Sequence, residues 1–220
     1  METNKHIGQI IRRTFEIVQS VYNNQKEAEG RKSGAPSPLS RIIFPKYRNN
    51  KTRFSEQELR FIFVEQLNEE IRYGWDVYYS VETPTINKYL FNVEYPKRDE
   101  EDGQSANFDL VIYDSSYNRI ALIEFKAKNP ADTHDYQKDF VKLTNEGEDG
   151  ELRYFIQILE NTKRDTEGNV KSKIIPKDDE NYKEWMNQWG EHKVIVHCIS
   201  LEKGRGNRAV IDFEEYHKNC

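Results

Sequence analysis

Two apolar segments, FDLVIYD at 108–114 and RIALIEFKA at 119–127, flank the turn-rich stretch DSSYN. Short runs rich in Val, Ile and Phe, separated by Asp, Ser and Asn, read as the two strands of a hairpin. The second run constrains the chain most, because it places Glu124 and Lys126 inside the otherwise apolar ALIEFKA. If Asp114 pairs with Arg119 across the loop 115–118, the same register sets Asp109 opposite Glu124. Directly opposed side chains lie roughly 4.5–5.5 Å apart at Cβ. Lys126, two residues beyond Glu124, shares that face, while Ile123 and Phe125 point the other way into the core.

Two carboxylates facing one another across a strand pair repel. A cation has to sit with them, or one of them has to hold a proton. Mg²⁺ (or Mn²⁺) fits, because hard cations take carboxylate oxygens and keep positions open for water and a substrate phosphate. Lys126 then stands beside that phosphate, where its charge stabilises developing negative charge or positions the attacking water. The bare E-x-K pattern is weak evidence in so charged a chain, and it recurs at Glu191-His192-Lys193. That second copy precedes its apolar run and has no hairpin-paired Asp. The competing reading of the first copy is an intrastrand Glu124–Lys126 ion pair at a sheet end.

Around this hairpin the chain reads as one α/β unit with a mixed sheet flanked by helices. Residues 5–29 carry Ile7, Ile10, Ile11, Phe15, Val18, Val21 and Tyr22 at helical spacing. The Gly/Ser/Pro-rich GRKSGAPSPLS follows, so this helix is expected to be an arm, with a boundary near residue 40 and the main domain at 41–220. A second helix starts near Ser55 with a Ser55/Glu58 capping box and ends at Gly74. Further strands are expected at 77–83, 153–160, 193–201 and 209–213. Helices are expected at 132–143 and 181–189, with a polar loop at 161–180.

The net charge of −5 and pI near 5.7 count mildly against nucleic-acid binding. The charge is segregated, however. RIIFPKYRNNKTR at 41–53 and KGRGNR at 203–208 contain no acid, and such patches offer phosphate a place to bind. Arg48, Lys51 and Arg53 are the candidate contacts in the first patch. Neither cysteine, Cys198 nor Cys220, belongs to a CxxC pair, and the five histidines show no metal-binding spacing. Cys198 and His197 fall in an apolar run and read as core residues. With no apolar run of about 18 residues and no signal-peptide core at METNKHIGQI, the expectation is a soluble cytoplasmic protein.

The order helix with glutamates, strand, strand with Asp109, strand with Glu124-Phe125-Lys126, then helix resembles the PD-(D/E)XK, restriction-endonuclease-like nuclease superfamily over about residues 55–160. The "PD" is not literal here, since Phe108 precedes Asp109. The resemblance implies a Mg²⁺-dependent nuclease acting on nucleic acid, DNA first. Asp109, Glu124 and the main-chain carbonyl of Phe125 would be metal ligands, and Lys126 the catalytic lysine. It implies a glutamate from the first core helix, Glu58 or Glu65, and a polar residue from the following helix, Gln137 or Lys138, of which Lys138 would meet the nucleic acid. Glu82 is a further candidate on the first strand. The alternative function is a catalytically inactive nuclease-like binding or assembly module. The oligomeric state, a homodimer included, stays open.

Overall fold

The computed structural model describes residues 2–30, 40–127, 136–159, 183–184, 187–201 and 210–216, with only the main chain at 26–30, 200 and 210–216. The linker 31–39, the expected helix start at 132–135, the polar loop, the basic loop 203–208 and Cys220 lie outside them.

The element order is α1 (Glu2–Gly30), α2 (Glu56–Arg72), β1 (Tyr78–Leu90), β2 (Lys97–Arg98), β3 (Gln104–Tyr113), β4 (Arg119–Ala127), α3 (Gln137–Leu143), β5 (Leu152–Leu159), β6 (Val194–Ser200) and β7 (Val210–Tyr216). The strands form one seven-stranded mixed sheet in the order β2-β1-β3-β4-β5-β6-β7. β4, β5 and β6 run parallel, and the other neighbours are antiparallel. α3 lies in the crossover between parallel β4 and β5, a connection that parallel pairing requires.

Both faces of the sheet are covered. α1 and α2 pack on Leu110, Ile112, Ile123, Phe125, Tyr154 and Ile156. α3 packs on the opposite face, where Phe140, Val141 and Leu143 meet Val111, Leu122 and Phe155. A strand buried on two sides reads as a continuous apolar run, which explains IALIEF in β4.

Three expectations change. α1 is not an arm, because Ile7, Ile10, Ile11, Phe15, Val18 and Val21 are buried in the same core as the sheet. Polar ties reinforce the contact: Arg13 and His6 meet Glu70 of α2, and Tyr154 donates to Asn4 Oδ1 at 2.6 Å. β1 runs on to Leu90, with alternating burial through the polar TPTINKYL. The β3–β4 turn carries a bulge, so Tyr113 rather than Asp114 faces Arg119. Asp114 is drawn into the turn, where it accepts from the main-chain N–H groups of Ser116 (2.9 Å) and Asn118 (2.8 Å).

β1 has a shifted register between Pro84 and Lys88. The fully buried Glu148, just before β5, accepts from the N–H groups of Ile86 (2.9 Å) and Asn87 (3.0 Å) and from the Tyr89 hydroxyl (2.9 Å). Arg153, also buried, donates to the carbonyls of Leu143, Asn145, Glu148 and Gly150. Together they fix the segment joining α3 to β5. Outside β2, which pairs only with Tyr89 and Leu90, the outer edge of β1 has no neighbouring strand among the described residues.

Candidate active site

The β3–β4 register, Leu110↔Ile123 and Val111↔Leu122, carries Asp109 to the level of Glu124. The paired ladder ends there. The N–H of Phe125 donates instead to Asp109 Oδ2 at 2.7 Å, so a side chain replaces the main-chain partner. In an extended strand the N–H and C=O of one residue leave on the same side, which puts the Phe125 carbonyl on the strand edge that Asp109 occupies. The register therefore leaves the Asp109 and Glu124 carboxyl groups side by side at the end of the β3–β4 ladder.

Glu124 is buried on the α3 face, where the Lys142 ammonium meets its Oε1. The same ammonium donates to the Asn107 carbonyl at 2.8 Å and lies 3.5 Å from Asp139 Oδ1. Lys126, next along the same face, sits 2.7 Å from Asp139 Oδ2 and 3.8 Å from Glu56 Oε1 at the start of α2. Arg60, one turn further along α2, pairs with Glu82 and lies 3.8 Å from Asp109 Oδ1. Glu82 has a left-handed backbone (φ 49°), uncommon outside glycine. The β1–β3 register sets it at the level of Asp109.

Electrostatics follow from burial. Removal from water pushes the Asp109, Glu124 and Glu56 carboxyls above their usual range, Glu124 well above it, and each lies near further carboxylates that push the same way. Burial pulls the Lys126 ammonium down, but Asp139, Glu56 and Glu124 outweigh it and hold the group firmly charged. Lys142 is raised for the same reason. Among the described residues, Asp109, Glu124, Asp139, Glu56 and Glu82 face three cations, Arg60, Lys126 and Lys142. Full ionisation of these eight side chains would leave an excess of two negative charges, the charge of one divalent cation, and it is this excess that burial opposes.

Several residues fall elsewhere. Glu58 pairs with Ser55 and, at 3.4 Å, with Arg53, and Glu65 accepts from Ser40 Oγ at 3.3 Å. The α2 glutamate that reaches Lys126 is Glu56. Glu58 lies about 200° round the helix from it, and Glu65, seven residues after Glu58, shares the side of Glu58. Gln137 is buried, whereas Lys138 lies on the exposed side of α3 with its Nζ 5.8 Å from the Phe91 ring centre. Asp139 and Lys142 are the residues α3 brings to the cluster. Their signal in the sequence is a charged i, i+3 pair on one helical face beside Phe140 and Leu143, a pattern shared with ordinary surface helices.

The basic stretch folds back on itself. Lys46 and Thr52 bridge, and the N–H groups of Tyr47 and Asn50 bond to the carbonyls of Lys51 and Tyr47, both at 2.9 Å. Arg48, Lys51 and Arg53 are exposed on this small hairpin. It forms one wall of an open cleft of about 360 Å³ lined by Tyr47, Arg53, Phe54, Ser55, Glu56, Gln57 and Ala127. Of these, Glu56 also meets Lys126, at 3.8 Å, and Ala127 follows Lys126 in β4.

As oxygen donors, Asp109, Glu124 and the Phe125 carbonyl suit a hard divalent ion in kind and in charge. Among the described residues no three His, Cys, Asp or Glu side chains form a ready metal cage, and Lys142 already meets Glu124 Oε1. No family model, curated protein or solved structure matches the chain.

Proposed function

We propose that the chain is a divalent-metal-dependent nuclease that hydrolyses phosphodiester bonds, with DNA the first substrate to test. The observation that carries this reading is the meeting of Asp109, Glu124 and Lys126 in a largely buried cluster rich in carboxyl groups, beside a cleft walled by a basic hairpin. Asp109, Glu124 and the Phe125 carbonyl would hold Mg²⁺ or Mn²⁺. When bound, the ion would polarise a phosphoryl oxygen and lower the pKa of a water. Lys142 would retreat from Glu124 to its other partners, Asn107 and Asp139. Lys126 stays protonated at neutral pH, so its role is to stabilise charge on the phosphate and not to abstract a proton.

The Lys142–Glu124 pair favours a second reading. It satisfies the buried carboxylate without metal, as suits a nuclease-like binding or assembly module with no catalysis.

Cleavage of plasmid and single-stranded substrates in Mg²⁺, Mn²⁺ and EDTA separates the two. The nuclease reading expects metal-dependent cleavage that Lys126→Met reduces by roughly 10²-fold or more in single turnover, the scale for losing one preorganised charge-stabilising group. It also expects Mg²⁺ or Mn²⁺ to raise the melting temperature by mass action, and the Asp109→Asn, Glu124→Gln double variant to lose that response. Full cleavage by folded Lys126→Met protein overturns the site assignment. No cleavage with any metal leaves the binding module.

A further inference from the structure

The cleft beside Lys126 differs from a surface that only attracts phosphate. Tyr47 is 43% exposed and stands in its wall. The Lys46–Thr52 bridge and the turn at Asn50, whose φ is 62°, hold this residue in place. On the same wall is the Arg53 guanidinium, about half-exposed. At the first turn of α2, the side-chain oxygen of Gln57 is already taken by Arg60 at 2.5 Å, so its amide N–H groups remain to donate. The cleft is therefore lined by an exposed aromatic ring, a cation and an amide donor together, and its wall residue Glu56 lies 3.8 Å from the Lys126 ammonium.

Its volume of about 360 Å³ is at the small end of the range of small-ligand pockets. One nucleotide fits such a space and a double helix does not. An aromatic ring in a wall can be used only by a base whose face is free. In a duplex the faces are stacked and only the edges show; in a single strand they are available, and base–aromatic stacking becomes a main source of affinity.

We infer that this cleft binds one unstacked nucleotide of a single-stranded nucleic acid. The base lies on Tyr47, its edge meets the Gln57 amide, and a phosphate contacts Arg53. The inference rests on the nucleic-acid part of the proposed function and narrows its substrate class to single strands or frayed ends.

Binding measured separately from cleavage tests it. A fluorescein-labelled single-stranded oligonucleotide, as DNA and as RNA, and a duplex of equal length are titrated with the full chain in EDTA and again in Ca²⁺, with anisotropy as the readout. In at least one buffer the single strand should bind about tenfold or more tighter than the duplex. Tyr47→Ala should lower single-strand affinity roughly 5- to 150-fold, the effect of losing one stacked base, and leave duplex affinity unchanged, while Tyr47→Phe restores it. Arg53→Gln should weaken binding and reduce its salt slope by about one. Equal affinity for duplex and single strand, unchanged binding by Tyr47→Ala, or no binding in either buffer overturns the inference. Cleavage by a protein whose binding ignores Tyr47 would defeat the cleft and spare the nuclease reading. Tyr47-dependent binding without cleavage would do the reverse.

Discussion

Asp109 does two things at once: it closes the main-chain ladder at Phe125 and it sits in a cluster of like charge. An Asn keeps the first and removes the second. Burial raises the Asp109 carboxyl, so its contribution to stability is full below its ordinary unfolded range and is lost as pH rises through the higher folded value. In EDTA, therefore, Asp109→Asn should be as stable as the wild type or more so at neutral pH, and the difference should shrink toward pH 4. Paired thermal melts across that range check it. A loss above ~1 kcal/mol at pH 7 would make Asp109 a structural residue. At this scale the hairpin residues were legible in the sequence, because period-two alternation and one register place Asp109, Glu124 and Lys126 together. Glu56 was not. The capping box pointed to Glu58, and nothing local tells which side of α2 meets the end of β4.

Among the elements, α1 shows how a linker misleads. The Gly, Ser and Pro that follow it suggest independence, yet its apolar stripe is buried against α2 and the sheet. Phe15→Ala should cost about 3–5 kcal/mol, as for a large core side chain, whereas in a free arm the change would be nearly neutral. Chemical denaturation measures the difference. The buried strands β4 and β6 match the expected runs to within a residue at either end, since both faces demand apolar side chains. The second half of β1 was hidden because only alternate residues are buried and Pro84 interrupts it. Asp139 and Lys142 depend on where the crossover delivers α3, which no local pattern encodes.

On the scale of the whole molecule, the net charge misrepresents the surface that matters. The 41–53 segment is acid-free in a chain of net charge −5, and one of its exposed cations, Arg53, lines the cleft. Neutralising Arg48, Lys51 and Arg53 together should weaken nucleic-acid binding and flatten the dependence of log K on log salt by roughly one unit for each phosphate no longer neutralised. Titrations at several salt concentrations measure it, and an unchanged slope removes the hairpin from the binding surface. The outer edge of β1 bears on how copies of the chain meet. It is long, and it exposes Val81 and Ile86, the profile of a template for edge-to-edge aggregation. Pro84 has no N–H to donate there, Glu82 bends the strand out of line, and Glu148 occupies the N–H groups of Ile86 and Asn87. A second copy would find no regular row of donors to extend, so this edge resists fibril-like growth although its side chains invite it.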